Sequence, residues 1–183
     1  MVSYEELYEK VKSELSEKRF RHTIGVIERA IEYAKIYNVD ENTVKYAAVL
    51  HDSAKEYSIE KSYEIFEKYG YEPDNVERGN SNLIHGKVAG LIAKYEYGLS
   101  DEIASAISYH TTGKENMTTL EKIIYLADAT EPRKSLSRKR KWAYFRRNSK
   151  SYKRGFGQRF IVRSKMEFGI CFKKRFAYSF RFS

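Results

Sequence analysis

The chain's four histidines stand at positions 22, 51, 85 and 110, and one of them, His51, is followed directly by Asp52. A further acid, Asp128, closes the apolar run Ile123-Ile124-Tyr125-Leu126-Ala127, where a carboxylate is costly to bury unless it is paired or holds a cation. Imidazole and carboxylate without thiolate suit iron, manganese or zinc rather than calcium. Taken singly, each residue has an ordinary reading. His22 can be a hydrogen-bonded core or surface residue, and His85 beside Gly86 a helix-entry residue. His110 can complement a helix macrodipole, and Asp128 can cap or pair locally. Neighbouring helical residues diverge by about 100°, yet a long imidazole and a short carboxylate can still meet on one cation. The joint pattern favours a metal centre, of the kind that helical bundles build from facing helices.

Seven segments are expected to carry these groups. Ser3-x-x-Glu6 is a capping box opening a helix that ends near Ser16. A second helix runs from about Arg19 to Asn38, with Ile24, Ile27, Ile31 and Ala34 along one face. Asp40 caps a third, whose Val44, Ala47, Ala48 and Leu50 lead into His51-Asp52. Ser58 opens a fourth that stops at Gly70, and residues 71–81 read as a loop. A fifth spans about Asn82 to Tyr97, with His85 in its first turns. Ser100 caps a sixth closed by His110, and Thr118-x-x-Glu121 boxes a seventh reaching about Thr130. Strand-like alternation is absent, so residues 1–132 are expected to form an all-α helical bundle.

Composition divides the chain. Its 183 residues hold 34 Lys+Arg and 25 Asp+Glu, a net charge of +9 that by itself suggests nucleic acid. Residues 1–132 hold 16 basic and 24 acidic side chains, a balance of −8; the last 51 hold 18 basic and one acidic, a balance of +17. That tail carries 12 of the 27 aromatics but one Leu and two Ala. Three readings compete for it. An abrupt loss of acid and leucine near Ser135 points to a frameshifted reading frame. A basic, aromatic arm would grip phosphates and stack bases. A poorly ordered arm is opposed by the aromatic content. Cys171 is the one cysteine, which excludes a disulfide framework or a cysteine zinc site and suggests a reducing cytoplasm. No apolar run approaches the roughly 20 residues of a membrane span, and no signal-peptide stretch is expected at the N-terminus.

The motifs in order are Arg19-Phe20-Arg21-His22-Thr23, His51-Asp52-Ser53-Ala54-Lys55, Asn82-Leu83-Ile84-His85-Gly86, His110-Thr111-Thr112-Gly113 and Ala127-Asp128-Ala129-Thr130-Glu131-Pro132. Over residues 1 to about 134 this series resembles the HD-domain metal-dependent phosphohydrolases, and within them the YqeK-type symmetrical bis(5′-nucleosyl)-tetraphosphatases. The resemblance implies an HD-domain bundle over residues 1–134 and a divalent metal, usually iron, held by His22, His51, Asp52 and Asp128. It also implies nucleotide contacts from Arg19, His22, His85, His110, Thr111 and Arg133, and catalytic roles for Asp52, Lys55 and His110. Family members continue with acidic, leucine-containing helices that help close the nucleotide pocket, and residues 135–183 show no counterpart.

The implied reaction is hydrolysis of diadenosine tetraphosphate to two ADP by metal-activated water. The metal would lower the pKa of water and polarise a phosphoryl oxygen, while Lys55, His85, His110 and Arg19 would offset phosphoryl charge. His110 could instead protonate the leaving phosphate. The expected partners are a nucleotide substrate and its ADP product, with a homodimer left open and no membrane. One alternative keeps the site and changes the substrate, as an HD-type nucleotidase or deoxynucleotide phosphohydrolase. Another class is a nucleic-acid-binding protein acting through the basic tail, which the acidic body does not help.

Overall fold

A computed structural model describes residues 2–131, and all regular secondary structure among them is helical. The helices are α1 (Tyr4–Glu14), α2 (Glu17–Tyr37), α3 (Glu41–Leu50), α4 (Ile59–Lys68), α5 (Ser81–Tyr95), α6 (Asp101–Ser108) and α7 (Thr119–Thr130). The caps expected from the sequence are formed. Ser3 and Glu6 close a reciprocal box on α1, and Thr118 and Glu121 do so on α7. Asp40, Ser58 and Ser100 accept from the N–H groups of Thr43, Lys61 and Ile103. Arg133 and the readings made for residues 135–183 lie outside the described residues.

Helix α3 packs against α1, α2, α5, α6 and α7. Its Val44, Ala47, Ala48 and Val49 are fully buried, as are Val26, Ala30 and Ala34 of α2 and Ile123, Ile124 and Ala127 of α7. Alanine at so many contacts lets the helix backbones approach closely, and apolar burial of this kind is the main stabilising contribution to a bundle. The C-terminal end of α3 breaks the apolar pattern. There His51, Asp52, His85 and His110 are all buried, a polar island inside the bundle.

Two local features differ from the sequence expectation. Helix α6 ends at Ser108, so His110 lies beyond it in a turn rather than in its last helical turn. The winding tightens there, with the His110 N–H bonding the Ile107 carbonyl three residues back. The 71–80 loop is also more than a polar connection. Its Glu77 is buried, accepts from the Tyr71 hydroxyl at 2.8 Å and the Asp74 N–H at 3.2 Å, and lies 3.9 Å from Lys87 Nζ of α5. That network anchors the entry into the helix bearing His85. No described helix is long and apolar enough to cross a membrane.

Helices α5 and α6 approach across two glycines. A Cβ at Gly90 would lie 2.8 Å from the Ala104 carbonyl oxygen and clash with Ser108 Oγ; one at Gly86 would lie 3.2 Å from the His110 ring. Gly90→Ala is expected to destabilise the protein. Overpacking costs roughly 1–3 kcal/mol, while removing a helical glycine returns about 1 kcal/mol. Urea unfolding of the metal-free protein should show a lower midpoint at unchanged slope, with partial recovery when Ser108→Ala is added.

Candidate metal centre

Local backbone geometry first explains how His51 and Asp52 can act together. His51 is the C-cap of α3, and beyond it the chain winds in i→i−3 turns, with Ser53 bonding Leu50 and Lys55 bonding Asp52. This tighter winding keeps both side chains within the bundle. The Nε2 atoms of His22 and His51 lie 3.4 Å apart, and each is 3.6 Å from Asp52 Oδ2. Asp128 Oδ1, from the last turns of α7, lies 3.0 Å from His22 Nε2. Three elements or their ends thus deliver four donor residues to one point.

The other Asp52 oxygen faces a second group. Asp52 Oδ1 is 3.1 Å from His85 Nε2 and 3.6 Å from His110 Nε2, and the two imidazole nitrogens are 3.1 Å apart. Thr111 Oγ1 stands 3.0 Å from His110 Nε2 and 3.4 Å from His85 Nε2. At the edges are two cations. Arg19 Nη1 is 3.0 Å from Asp52 Oδ2, and Lys55 Nζ is 3.3 Å from His85 Nδ1. Every candidate residue within the described range therefore belongs to one cluster centred on Asp52.

Proton positions test whether this cluster suits a cation. His51 Nδ1 is 2.7 Å from the Ala48 carbonyl, and His110 Nδ1 is 2.7 Å from the Ile107 carbonyl. A carbonyl only accepts, so both Nδ1 atoms carry hydrogen. Burial pushes His51 down to about 3, so its ring is neutral and its Nε2 presents a bare lone pair. His85 is likewise pushed down, by burial foremost and against its hydrogen bond to Asp52. For Asp52, burial opposes ionisation, but the surrounding His51, His110 and His85 outweigh it, and the carboxylate is held well below its usual range. Lone pairs and a carboxylate aimed at one another call for a positive centre between them. The spacing agrees: ligands about 2.1 Å from a metal are separated by roughly 3.0–3.4 Å in octahedral or tetrahedral geometry. His22, His51 and Asp52 form one group able to hold an ion, and Asp52, His85 and His110 form another.

A model of the HD domain matches residues 19–133. The chain belongs to the HD-domain family. Among its relatives, this HD-domain protein is 42% identical over 126 residues to a protein of Staphylococcus aureus, which covers 68% of this chain and 64% of the relative. It is 40% identical over 123 residues to one of Halalkalibacterium halodurans, covering 67% and 65%, and 39% identical over 135 residues to one of Bacillus subtilis, covering 73% and 72%. All three are named symmetrical bis(5′-nucleosyl)-tetraphosphatase. The HD-domain chain thus spans slightly under two thirds of the length of the first two relatives. A crystal structure of a predicted HD superfamily hydrolase involved in NAD metabolism, from Clostridium acetobutylicum, superimposes with a TM-score of 0.70 at 40% identity, covering 78% of each chain.

The matched HD span contains every candidate residue named from the sequence. It also contains one that the sequence reading passed over: Glu131, whose Oε1 lies 3.2 Å from His22 Nδ1. The signal was available, as an acid three residues after Asp128 and directly before Pro132, but nothing in that spacing names its partner on α2.

Because Asp52 alone faces both donor groups, its replacement has a distinct signature. Asp52→Asn is expected to weaken divalent-metal binding at both groups, by at least roughly 100-fold, since the bridging charge is lost while volume is kept. His85→Ala is expected to affect only the second group. Metal content after dialysis against Mn²⁺, with calorimetric titration of each variant, checks the difference.

Proposed function

We propose that this chain is a metal-dependent phosphohydrolase that cleaves diadenosine tetraphosphate symmetrically into two ADP. The observation that carries the reading is the convergence of four imidazole Nε2 atoms on the two oxygens of Asp52, at 3.1–3.6 Å. The names of three relatives at 39–42% identity supply the substrate class and the symmetry of cleavage. A divalent cation, iron by family resemblance, would be held by His22, His51, Asp52 and Asp128, and would polarise a phosphoryl oxygen and acidify water.

The protein's own groups then divide the remaining work. Arg19 is about one-third exposed and touches Asp52, so its guanidinium stands between the buried cluster and solvent. It is suited to meet an incoming phosphate, with bidentate geometry available to it. Lys55 supplies a second cation on the His85 side, where charge accumulates on phosphoryl oxygens in the transition state. The Thr111 hydroxyl, adjoining His85 and His110, can donate to a phosphate oxygen. His110 is buried with its Nδ1 held by the Ile107 carbonyl, which fixes the direction of Nε2 for either of its two roles, offsetting phosphoryl charge or protonating the leaving phosphate. Arg133 keeps its proposed nucleotide contact by resemblance alone. Residues 1–134 are taken as the catalytic domain and residues 135–183 as a basic appendage outside it, and the single cysteine accords with a reducing cytoplasm.

Product analysis tests the proposal. The full chain, loaded anaerobically with Fe²⁺ or aerobically with Mn²⁺, is incubated with diadenosine tetraphosphate and the products are separated by anion-exchange chromatography. ADP as sole product, abolished by a chelator, is expected. AMP with ATP refutes symmetric cleavage, and turnover restricted to mononucleotides places the chain with the nucleotidases.

A further inference from the structure

We propose that Glu131 is the positioning residue for His22: its carboxylate takes the imidazole Nδ1–H and thereby aims Nε2 at the metal donors. The inference rests on the metal reading above and concerns a residue to which that reading assigns no role.

The four imidazoles solve the same orientation problem in two ways. His51 and His110 hold Nδ1 2.7 Å from the carbonyls of Ala48 and Ile107, each three residues back. His85 Nδ1 lies 3.3 Å from both the Ser81 carbonyl, four residues back, and Lys55 Nζ. In His51 and His110, a backbone group near the ring's own position in the chain sets the ring. His22 lies inside α2. Its Nδ1 instead faces Glu131 Oε1 at 3.2 Å, across 109 residues of sequence.

The surroundings are shaped for that carboxylate. The Glu131 side chain is 1% exposed, a burial that an acid rarely accepts without a hydrogen-bonding role. Gly25, one turn beyond His22 on α2, leaves space for it, since a Cβ there would stand 3.2 Å from Glu131 Cδ and overlap Oε2. At the end of α7, Asp128 Oδ1 lies 3.0 Å from His22 Nε2 and Glu131 Oε1 lies 3.2 Å from His22 Nδ1. One imidazole therefore has an acid beside each nitrogen, the two acids lying three residues apart. A carboxylate on the outer nitrogen of a metal-ligating histidine fixes its tautomer and raises its basicity as a ligand.

Glu131→Gln and Glu131→Ala in the full chain separate this role from simple clamping of α7 to α2. The readouts are Mn²⁺ affinity by calorimetry, the visible spectrum of the Co²⁺-substituted protein, and the thermal midpoint without metal. Glu131→Ala is expected to weaken Mn²⁺ binding roughly 10–100-fold and to alter the Co²⁺ spectrum. Glu131→Gln, near-isosteric and still able to accept at Oε1, is expected to fall between wild type and alanine. Unchanged Mn²⁺ affinity and Co²⁺ spectrum in Glu131→Gln, together with a lowered metal-free midpoint, overturn the proposal in favour of a clamp. The glutamine variant decides this whether or not the alanine variant folds. Absence of Mn²⁺ binding by the wild type overturns the metal reading itself, so the two failures are distinguishable.

Discussion

Asp52 is a buried carboxylate whose two oxygens look in different directions, and the arrangement of this bundle follows from keeping it ionised. Removing such a charge from water costs several kcal/mol unless its lone pairs are satisfied. One oxygen is served by Arg19 and adjoins His22 and His51; the other faces His85 and His110. These partners come from α2, the end of α3, α5 and the turn after α6. No short segment can supply them, so the helices must meet at one place for the carboxylate to be tolerated at all.

That requirement accounts for the packing around α3. Small residues on α2 and α3 and the glycines of α5 bring backbones near enough for short, rigid side chains to converge. Imidazoles are held at Nδ1 by carbonyls or a carboxylate, leaving Nε2 to face the centre. The same core that stabilises the bundle therefore sets donor separations near those of a coordination shell. Packing and donor geometry share contacts, as at Gly86, where the helix surface meets the His110 ring.

Charge plays two different parts. Residues 1–132 carry a balance of −8 although the proposed substrate is a polyanion. Overall charge is a poor guide here, because a local field outweighs a screened distant one. Arg19 and Lys55 stand at the cluster, and any bound cation adds to them. The +9 of the whole chain comes from the basic excess beyond residue 132. It says nothing of the helical body, whose chemistry lies in a handful of buried residues.

Much of this molecule can be read without coordinates. Helix starts are written in local chemistry, since Ser3, Asp40, Ser58, Ser100 and Thr118 each bond an amide within a few residues. The all-α class follows from periodicity, and the ordered His and Asp motifs are enough to name the family. Other features depend on distances between segments far apart in sequence. That Asp52 divides its oxygens between two donor groups, that Gly25 makes room for an acid, and that Glu131 meets His22 across 109 positions are properties of packing. Even the end of α6, and with it the place of His110, turned on a tightening of backbone bonds that residue types alone do not encode. Local hydrogen bonds are legible because both partners lie in one short stretch; a site assembled from facing helices becomes visible only when the helices meet.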